Sequence, residues 1–398
     1  MSQSQGLFRS ALILGLMSMV GPFAIDMYLP TMPAIGLSLG VDEAAMGATI
    51  IAYFIAFGLA QLVYGPWADQ SGRRLPVYFG LGLFALGSVG AAMAGSLEAL
   101  VGWRFVQGLG GAAVMVIPRA IIRDLHTGAA ATKMMALIML VISVSPMLAP
   151  LAGSGVAALA GWRAIFWVLA VAAVACVTLM HFALPETLPP ERRVKVNVKA
   201  LSRACGVLLR DVKFMGLTFV GGLGMASFFV FLSLAPFVYT QEFGLSPTGF
   251  SLAFAVNAAG FFGASQVAGP LAERLGLTRV VLAGVSGFAL SVAVLFTVVA
   301  TGGSSLGVVM AGLFIGNAFL GLVIPTTMVM ALDDHGEIAG MASSLGGTLQ
   351  MVAGGLAVAL AGPFHDDTAV PMVGAIAACG LGAATLAWTV LARLRQPV

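Results

Sequence analysis

The sequence predicts an all-α membrane protein of twelve transmembrane helices in two pseudo-symmetric six-helix bundles. Three observations predict it. Of 398 residues, 60% are hydrophobic and only 9% charged, more apolar surface than a water-soluble fold hides. About twelve runs of roughly 20 mostly apolar residues, the length a spanning helix needs, follow one another between short polar breaks. The segment Gly65-Pro66-Trp67-Ala68-Asp69-Gln70-Ser71-Gly72-Arg73-Arg74 is echoed by Gly269-Pro270-Leu271-Ala272-Glu273-Arg274-Leu275-Gly276 at a constant offset of 204 residues, about half the chain. Such an internal duplication in lipid is the usual architecture of a secondary transporter.

In chain order the runs lie near residues 8–30, 47–65, 76–95, 99–121, 133–155, 163–184, 212–238, 249–270, 279–300, 305–331, 338–361 and 370–392. They are continuously apolar, without the alternation of a lipid-facing strand, so they are helices and not a barrel. The first run follows a single Arg9, carries Asp26 and ends without a small-residue cleavage pattern. It is expected to remain as a spanning helix. Residues 1–184 form one half and residues 212–398 the other, joined by a linker over 185–211. That linker opens with Pro185-Glu186-Thr187-Leu188-Pro189-Pro190 and continues basic. Val198 to Leu209 suits either a basic amphipathic helix on the membrane surface or a plain solvated connector.

Orientation follows from the cations. Arg9, Arg73, Arg74, Arg119, Arg123, Lys133, Arg192, Arg193, Lys195, Lys199, Arg203, Arg210, Lys213, Arg274, Arg279, Arg393 and Arg395, 17 of the 19 Lys and Arg, fall on the side shared by both termini. That side is expected to be cytoplasmic. The opposite loops hold Asp42, Glu43, Glu98, Glu242, Asp366 and Asp367, with Arg163 the one basic exception. The net charge of +3 therefore reports topology and implies no nucleic-acid partner.

Cys176, Cys205 and Cys379 are isolated and lack any CxxC spacing, so neither a disulfide framework nor a metal site is expected. His365-Asp366-Asp367 and Asp333-Asp334-His335 read as loop polarity. The chain also lacks the catalytic carboxylates, metal cluster or soluble domain of a polytopic enzyme. No enzyme activity is expected.

With loop charges set aside, Asp26 and Arg104 remain inside spans. A charge at the bilayer centre costs at least about 2.5 kcal/mol and persists where it faces a cavity or a partner. Asp26 lies in Pro22-Phe23-Ala24-Ile25-Asp26-Met27-Tyr28-Leu29-Pro30, where two prolines loosen the helix. An apolar pocket favours the neutral carboxyl, which suits a group that loads and releases a proton. The alternative is a fixed polar tie between helices. Arg104 either holds the charge of that site, binds an anionic group, or permanently pairs with Asp26 or with helix-end carbonyls. Tyr28, Tyr53, Gln107, Asn257, Asn317 and Gln350 are the uncharged polar candidates for lining a substrate cavity, with interhelical hydrogen bonding as the competing role.

These residues also carry a resemblance. Gly65 to Arg74 resembles the loop signature between the second and third helices of the major facilitator superfamily, and the likeness extends over essentially the whole chain. Leu100 to Gly108, with Arg104, resembles the fourth-helix motif of its proton-coupled members. Ser145-Pro146-Met147-Leu148-Ala149-Pro150-Leu151-Ala152-Gly153-Ser154 resembles the antiporter motif, with Ala149 and Ser154 where glycine is usual; Trp67 likewise replaces the usual leucine of the loop motif. Asp26-Met27-Tyr28-Leu29-Pro30 with Pro33, and Arg123-Asp124 closing Arg119 to Leu125, are similar to the Bcr/CflA branch, drug:proton antiporters of bacterial inner membranes.

The resemblance implies that Asp26 exchanges a proton for drug and that Arg104 tunes it. It makes Gly65, Asp69, Gly72, Arg73 and Asp124 a gating loop. Asp69 would latch to the positive end of the eleventh helix, and Arg73 would complete the latch through Asp124. Pro146, Pro150 and Gly153 would let helices bend and approach closely. The second copy keeps Glu273 but has Leu277 and Thr278 in place of Arg73 and Arg74, so the latch is expected to be asymmetric. The expected protein exports small amphipathic compounds, bicyclomycin- or chloramphenicol-like, against protons, as a monomer in lipid with no cofactor. The alternative is a proton-coupled importer or facilitator of a small metabolite.

Overall fold

The computed structural model describes the backbone of residues 3–126, 128–366 and 368–393. Asp367 and Arg395 lie outside the described residues, as do the side chains of Arg9, Glu43, Lys133 and Arg393. Every regular element among the described residues is helical. In chain order these are α1 Gln3–Asp26, α2 Met32–Leu39, α3 Glu43–Ser71, α4 Arg74–Ala92, α5 Leu97–Leu125, α6 Gly128–Ala160 and α7 Trp162–Ala183. After a linker come α8 Val198–Arg210, α9 Val212–Gln241, α10 Pro247–Leu275, α11 Leu277–Ala300, α12 Leu306–Leu332, α13 Ala339–Ala361 and α14 Ala369–Arg393. Among the described residues, twelve stretches are long and apolar enough to cross a membrane, with mean hydropathy from 1.3 to 2.3.

The first of these, Leu12–Leu39, is broken. Pro22 lies inside α1, the helix stops at Asp26, and a 3₁₀ turn over Leu29–Thr31 leads into α2. Proline supplies no N–H and fixes its own φ, so Pro30 and Pro33 direct the chain into new helical starts. Thr31 Oγ1 donates to Tyr28 O at 2.7 Å and holds the turn. The apolar run therefore continues about nine residues beyond residue 30, where the sequence alone ended it.

Other helix starts follow the usual capping chemistry. The Oγ of Ser96 accepts from Ala99 N (3.3 Å) and that of Ser246 from Gly249 N (3.1 Å), while Asp211 Oδ1 accepts from Phe214 N (2.9 Å) at the head of α9.

The chain divides into two compact units, Met1–Val41 with Ala52–Asn197, and Asp42–Ile51 with Val198–Val398. In the first, α1 packs on α6, α4 on α5, and α4 on α7. In the second, α9 packs on α13, α11 on α12, and α11 on α14. The packing pattern thus repeats with the sequence. The linker divides between them, residues 185–197 staying with the first unit and α8 with the second.

Candidate functional site

The break after α1 leaves the last carbonyls of that helix without intrahelical donors. Arg104 of α5 fills one of them: its Nη1 donates to Ala24 O at 2.9 Å and to Gln107 Oε1 at 2.6 Å. Gln107 Nε2 in turn donates to Ser88 Oγ at 2.7 Å on α4, and Ser88 to Phe84 O. A cation at a helix C-terminus meets the negative end of the peptide dipoles, so this guanidinium has a reason to sit in lipid. It is completely buried. The rings of Tyr28 and Tyr53 lie 4.9 and 4.5 Å from its centre, a cation–π arrangement that replaces part of its lost hydration. Tyr53 also donates to Gly21 O at 3.2 Å, adding a second tie between α3 and α1.

Asp26 is 4% exposed. Among the described residues no cation lies within 4.0 Å of its carboxylate. Of the pairings open at the sequence level, Arg104 takes the helix-end carbonyl and leaves Asp26 unpaired. Beside it, α6 presents a buried stripe of Ser145, Pro146, Ala149, Pro150, Gly153 and Ser154. A Cβ on Gly153 would stand 2.0 Å from Met27 O. Only glycine allows α6 this close to the backbone that follows Asp26.

The loop after α3 forms a second constellation. Arg73 Nη1 bonds Asp69 Oδ1 at 2.5 Å, and its Nε and Nη2 fork onto Asp124 at 2.7 and 3.2 Å. The Arg73 and Asp124 side chains are 6% and 9% exposed, Asp69 54%. Gly72 turns the chain with φ +93°, a left-handed conformation that glycine adopts without strain. Gly65 lies inside α3, ahead of Pro66.

Comparisons with known proteins give the family. Residues 14–358 match the Major Facilitator Superfamily profile. The chain belongs to the major facilitator superfamily. A Bacillus subtilis protein described as an uncharacterized MFS-type transporter, YdgK, is 34% identical over 364 residues, 91% of this chain and 90% of its own. A Haemophilus influenzae bicyclomycin resistance protein homolog is 28% identical over 382 residues, 95% of each. Such relatives place this facilitator in the Bcr/CflA drug-efflux branch. The crystal structure of a D-xylose-proton symporter shares the fold, with TM-score 0.76 at 17% identity over 96% of this chain and 97% of that one. The facilitator is a multi-pass membrane transporter and not an enzyme.

Of its second-unit candidates, Asn257 donates Nδ2 to Ala253 O within its own helix (3.2 Å), and Asn317 is buried on α12. Gln350 lies close enough to Gly221 that a Cβ there would meet its Nε2 at 2.9 Å. The Asp333–His335 cluster is engaged: Lys213 Nζ forms an ion pair with Asp334 at 2.7 Å, and His335 Nε2 lies 3.0 Å from Asp211 Oδ2.

Sequence reasoning missed Glu186 and Thr187. Glu186 accepts four backbone N–H groups, from Arg73 (2.9 Å), Arg74 (3.1 Å), Thr187 (3.0 Å) and Leu188 (3.0 Å). Thr187 Oγ1 donates to Asp124 at 3.1 Å. Farther along the linker, Val194 N reaches Asp69 O (3.0 Å) and Val196 N reaches Gln70 Oε1 (3.1 Å). Burial alone raises the Glu186 carboxyl, yet the four donors outweigh it and hold the group below the ordinary glutamate range. The signal available in the sequence was a carboxylate opening an otherwise basic linker.

Proposed function

We propose that this facilitator is a proton-coupled efflux antiporter that expels small amphipathic compounds by alternating access, with Asp26 as the coupling acid. The observation that carries the reading is the unpaired, buried carboxylate at the break of the first span. An acid bound permanently to an arginine has no reason to exchange protons. Here Arg104 bonds Ala24 O and Gln107 through Nη1, its buried Nε and Nη2 have no hydrogen-bond partner, and it makes no ion pair with Asp26, which is left to its own equilibrium with whatever water or substrate reaches it. Arg104, fixed by Gln107 and two tyrosine rings, supplies a constant positive field that biases when the proton leaves.

The Asp69–Arg73–Asp124 network serves as the gate on the basic side, proposed to be cytoplasmic along with both termini, a reading the cation distribution supports. The proline and glycine stripe of α6 fixes the backbone that follows the acid. Bicyclomycin- and chloramphenicol-like compounds are the proposed cargo, in keeping with the relatives' names, and the bacterial inner membrane is the proposed location. Tyr28, Tyr53, Gln107, Asn257, Asn317 and Gln350 remain proposed contributors to the substrate path. The protein is proposed to work as a monomer with protons as its only coupling ion.

The test is transport by the purified protein in liposomes under an imposed pH gradient, with a chloramphenicol-like probe and wild type beside Asp26→Asn. Gradient-driven drug movement opposite to protons, lost in Asp26→Asn while probe binding survives, is the expected result. Movement with the protons would mean an importer. Coupling that persists in Asp26→Asn would remove this residue from the mechanism.

A further inference from the structure

The second unit has a cleft that the transport reading does not use. It has a volume of about 560 Å³ and opens where α8 meets α9, beside the last turns of α14. One wall is Val212, Met215, Gly216 and Phe219, the i, i+3, i+4, i+7 face of α9. The other is Leu386, Thr389 and Val390 of α14, and Leu209 and Arg210 form the rim. A Cβ on Gly216 would stand 2.5 Å from Val390 Cγ2, so the two helices close against each other there and give the cleft a floor. Val212 to Phe219 spans about 10 Å of helix.

The charges around the cleft are unevenly engaged. Asp211 accepts from Phe214 N and pairs with His335; Lys213 pairs with Asp334. Arg210 is exposed and makes no hydrogen bond or ion pair among the described residues. Lys199 and Arg203 precede it on α8, while apolar Val207 (52% exposed), Leu209 (48%) and Val212 (63%) are uncovered beside it. An unpaired guanidinium above an apolar slot, on the basic side of a membrane protein, is complementary to a phosphate with an alkyl tail.

We infer that this cleft is a binding site for an anionic phospholipid, with Arg210 holding the phosphate and the α9–α14 slot taking the upper part of one acyl chain. The occupant is a membrane lipid and not cargo, so the site stands apart from the antiport reading. Its role is to fix α8, the helix that leads from the linker into α9, against the headgroup layer.

The test titrates the full chain in mild detergent with phosphatidylglycerol and with phosphatidylcholine of identical chains, counting bound lipid by native mass spectrometry. The first phosphatidylglycerol is expected to bind at least about five-fold more tightly. Arg210→Gln should abolish that preference and Arg210→Lys should retain most of it. Thr389→Phe, on the α14 wall and exposed, should weaken both lipids. Arg192→Gln, on the linker of the first unit, should change neither. Equal wild-type affinities, or a preference that survives Arg210→Gln, would overturn the site. So would Thr389→Phe binding both lipids as wild type does, or millimolar inorganic phosphate displacing the lipid, since either would mean that no chain is held.

Discussion

Gly72 turns with φ +93° and Gly276, 204 residues later, with φ +86°; Gly40 and Gly244, separated by the same 204, turn with φ +66° and +65°. The backbone of the two halves thus repeats at its turns, while the side chains around those turns do not. After Gly72 come Arg73 and Arg74, after Gly276 Leu277 and Thr278. Met328 stands 204 residues after Asp124, Val230 after Asp26 and Val308 after Arg104. The first span breaks at Asp26, whereas α9 runs unbroken through 30 residues despite Pro236. Helix length, apolar faces and left-handed glycines are what the fold requires, and both halves have them. Buried charge is what the fold resists, and only the first half carries the acid, the arginine and the three-residue ion-pair network.

The largest contrast is expected at the loops. Arg73→Ala leaves Asp124, 9% exposed, with Thr187 as its remaining side-chain donor. Stranding a buried partner costs about 3 to 5 kcal/mol, and the half-exposed Asp69 arm adds little. A loss of about 3 kcal/mol is expected in thermal unfolding in detergent, with at least a tenfold fall in transport. Arg274→Ala removes an exposed cation that makes no ion pair among the described residues, and should stay within about 0.5 kcal/mol. Equal losses would mean that the halves differ less than their charges do.

Next comes the α6–α1 contact. Gly153→Ala drives a methyl onto Met27 O, which is backbone and cannot rotate away, so about 1 to 3 kcal/mol is expected. Gradient-driven transport should fall with it, because the displaced segment follows Asp26 directly. Gly155→Ala, whose Cβ would meet nothing within 4 Å, should be neutral. The position 204 residues after Gly153 is Ala357; the glycine of α13 that packs tightly on α9 is Gly354, whose Cβ would meet the Phe229 ring and not backbone.

A smaller effect, with a defined pH window, belongs to Glu186. Its carboxyl is held below the unfolded value, so its contribution is complete above about pH 4.3 and is lost only as pH falls through the lower folded value. Amide exchange at Arg73 and Arg74, corrected for the intrinsic rates, should stay protected from pH 7 to about pH 5 and weaken below about pH 4. In Glu186→Gln the protection should be weaker at every pH and lack that transition. A wild-type transition near neutrality would contradict the assignment.

What the sequence made legible follows the type of partner each residue uses. Twelve apolar runs announce twelve spans, because lipid selects composition directly. Asp69, Arg73 and Asp124 were legible as a group because ions of opposite sign pair with each other and their motif resembles a known loop. Glu186 and Arg104 were harder to place because their partners are backbone N–H and C=O groups, which every residue type presents and no letter marks. The same blindness applied to Tyr28 and Tyr53, visible as polar aromatics but not as the rings that cover a guanidinium. The extension to Leu39 was missed because a 3₁₀ turn between prolines continues a span that a hydropathy run ends.

The smallest expected effect asks whether the second half lacks only the charges. Leu277→Arg alone adds a cation beside Gly276 with no acceptor at the offset position, where Met328 is 37% exposed. It should change stability by less than about 0.5 kcal/mol. Combined with Met328→Asp, which stands 204 residues after Asp124 although α5 and α12 start 209 and end 207 residues apart, the pair tests whether the sequence offset alone brings cation and acid together. A partly exposed pair is then expected to show a coupling of about 0.5 kcal/mol in a double-mutant cycle. The coupling stays below that of the natural network because the residue 204 positions after Glu186 is Val390, which has no oxygen to accept the N–H groups at the start of α11. A coupling of zero would show that the linker carboxylate, and not the glycine turn, is what brings an arginine at this position onto its acid.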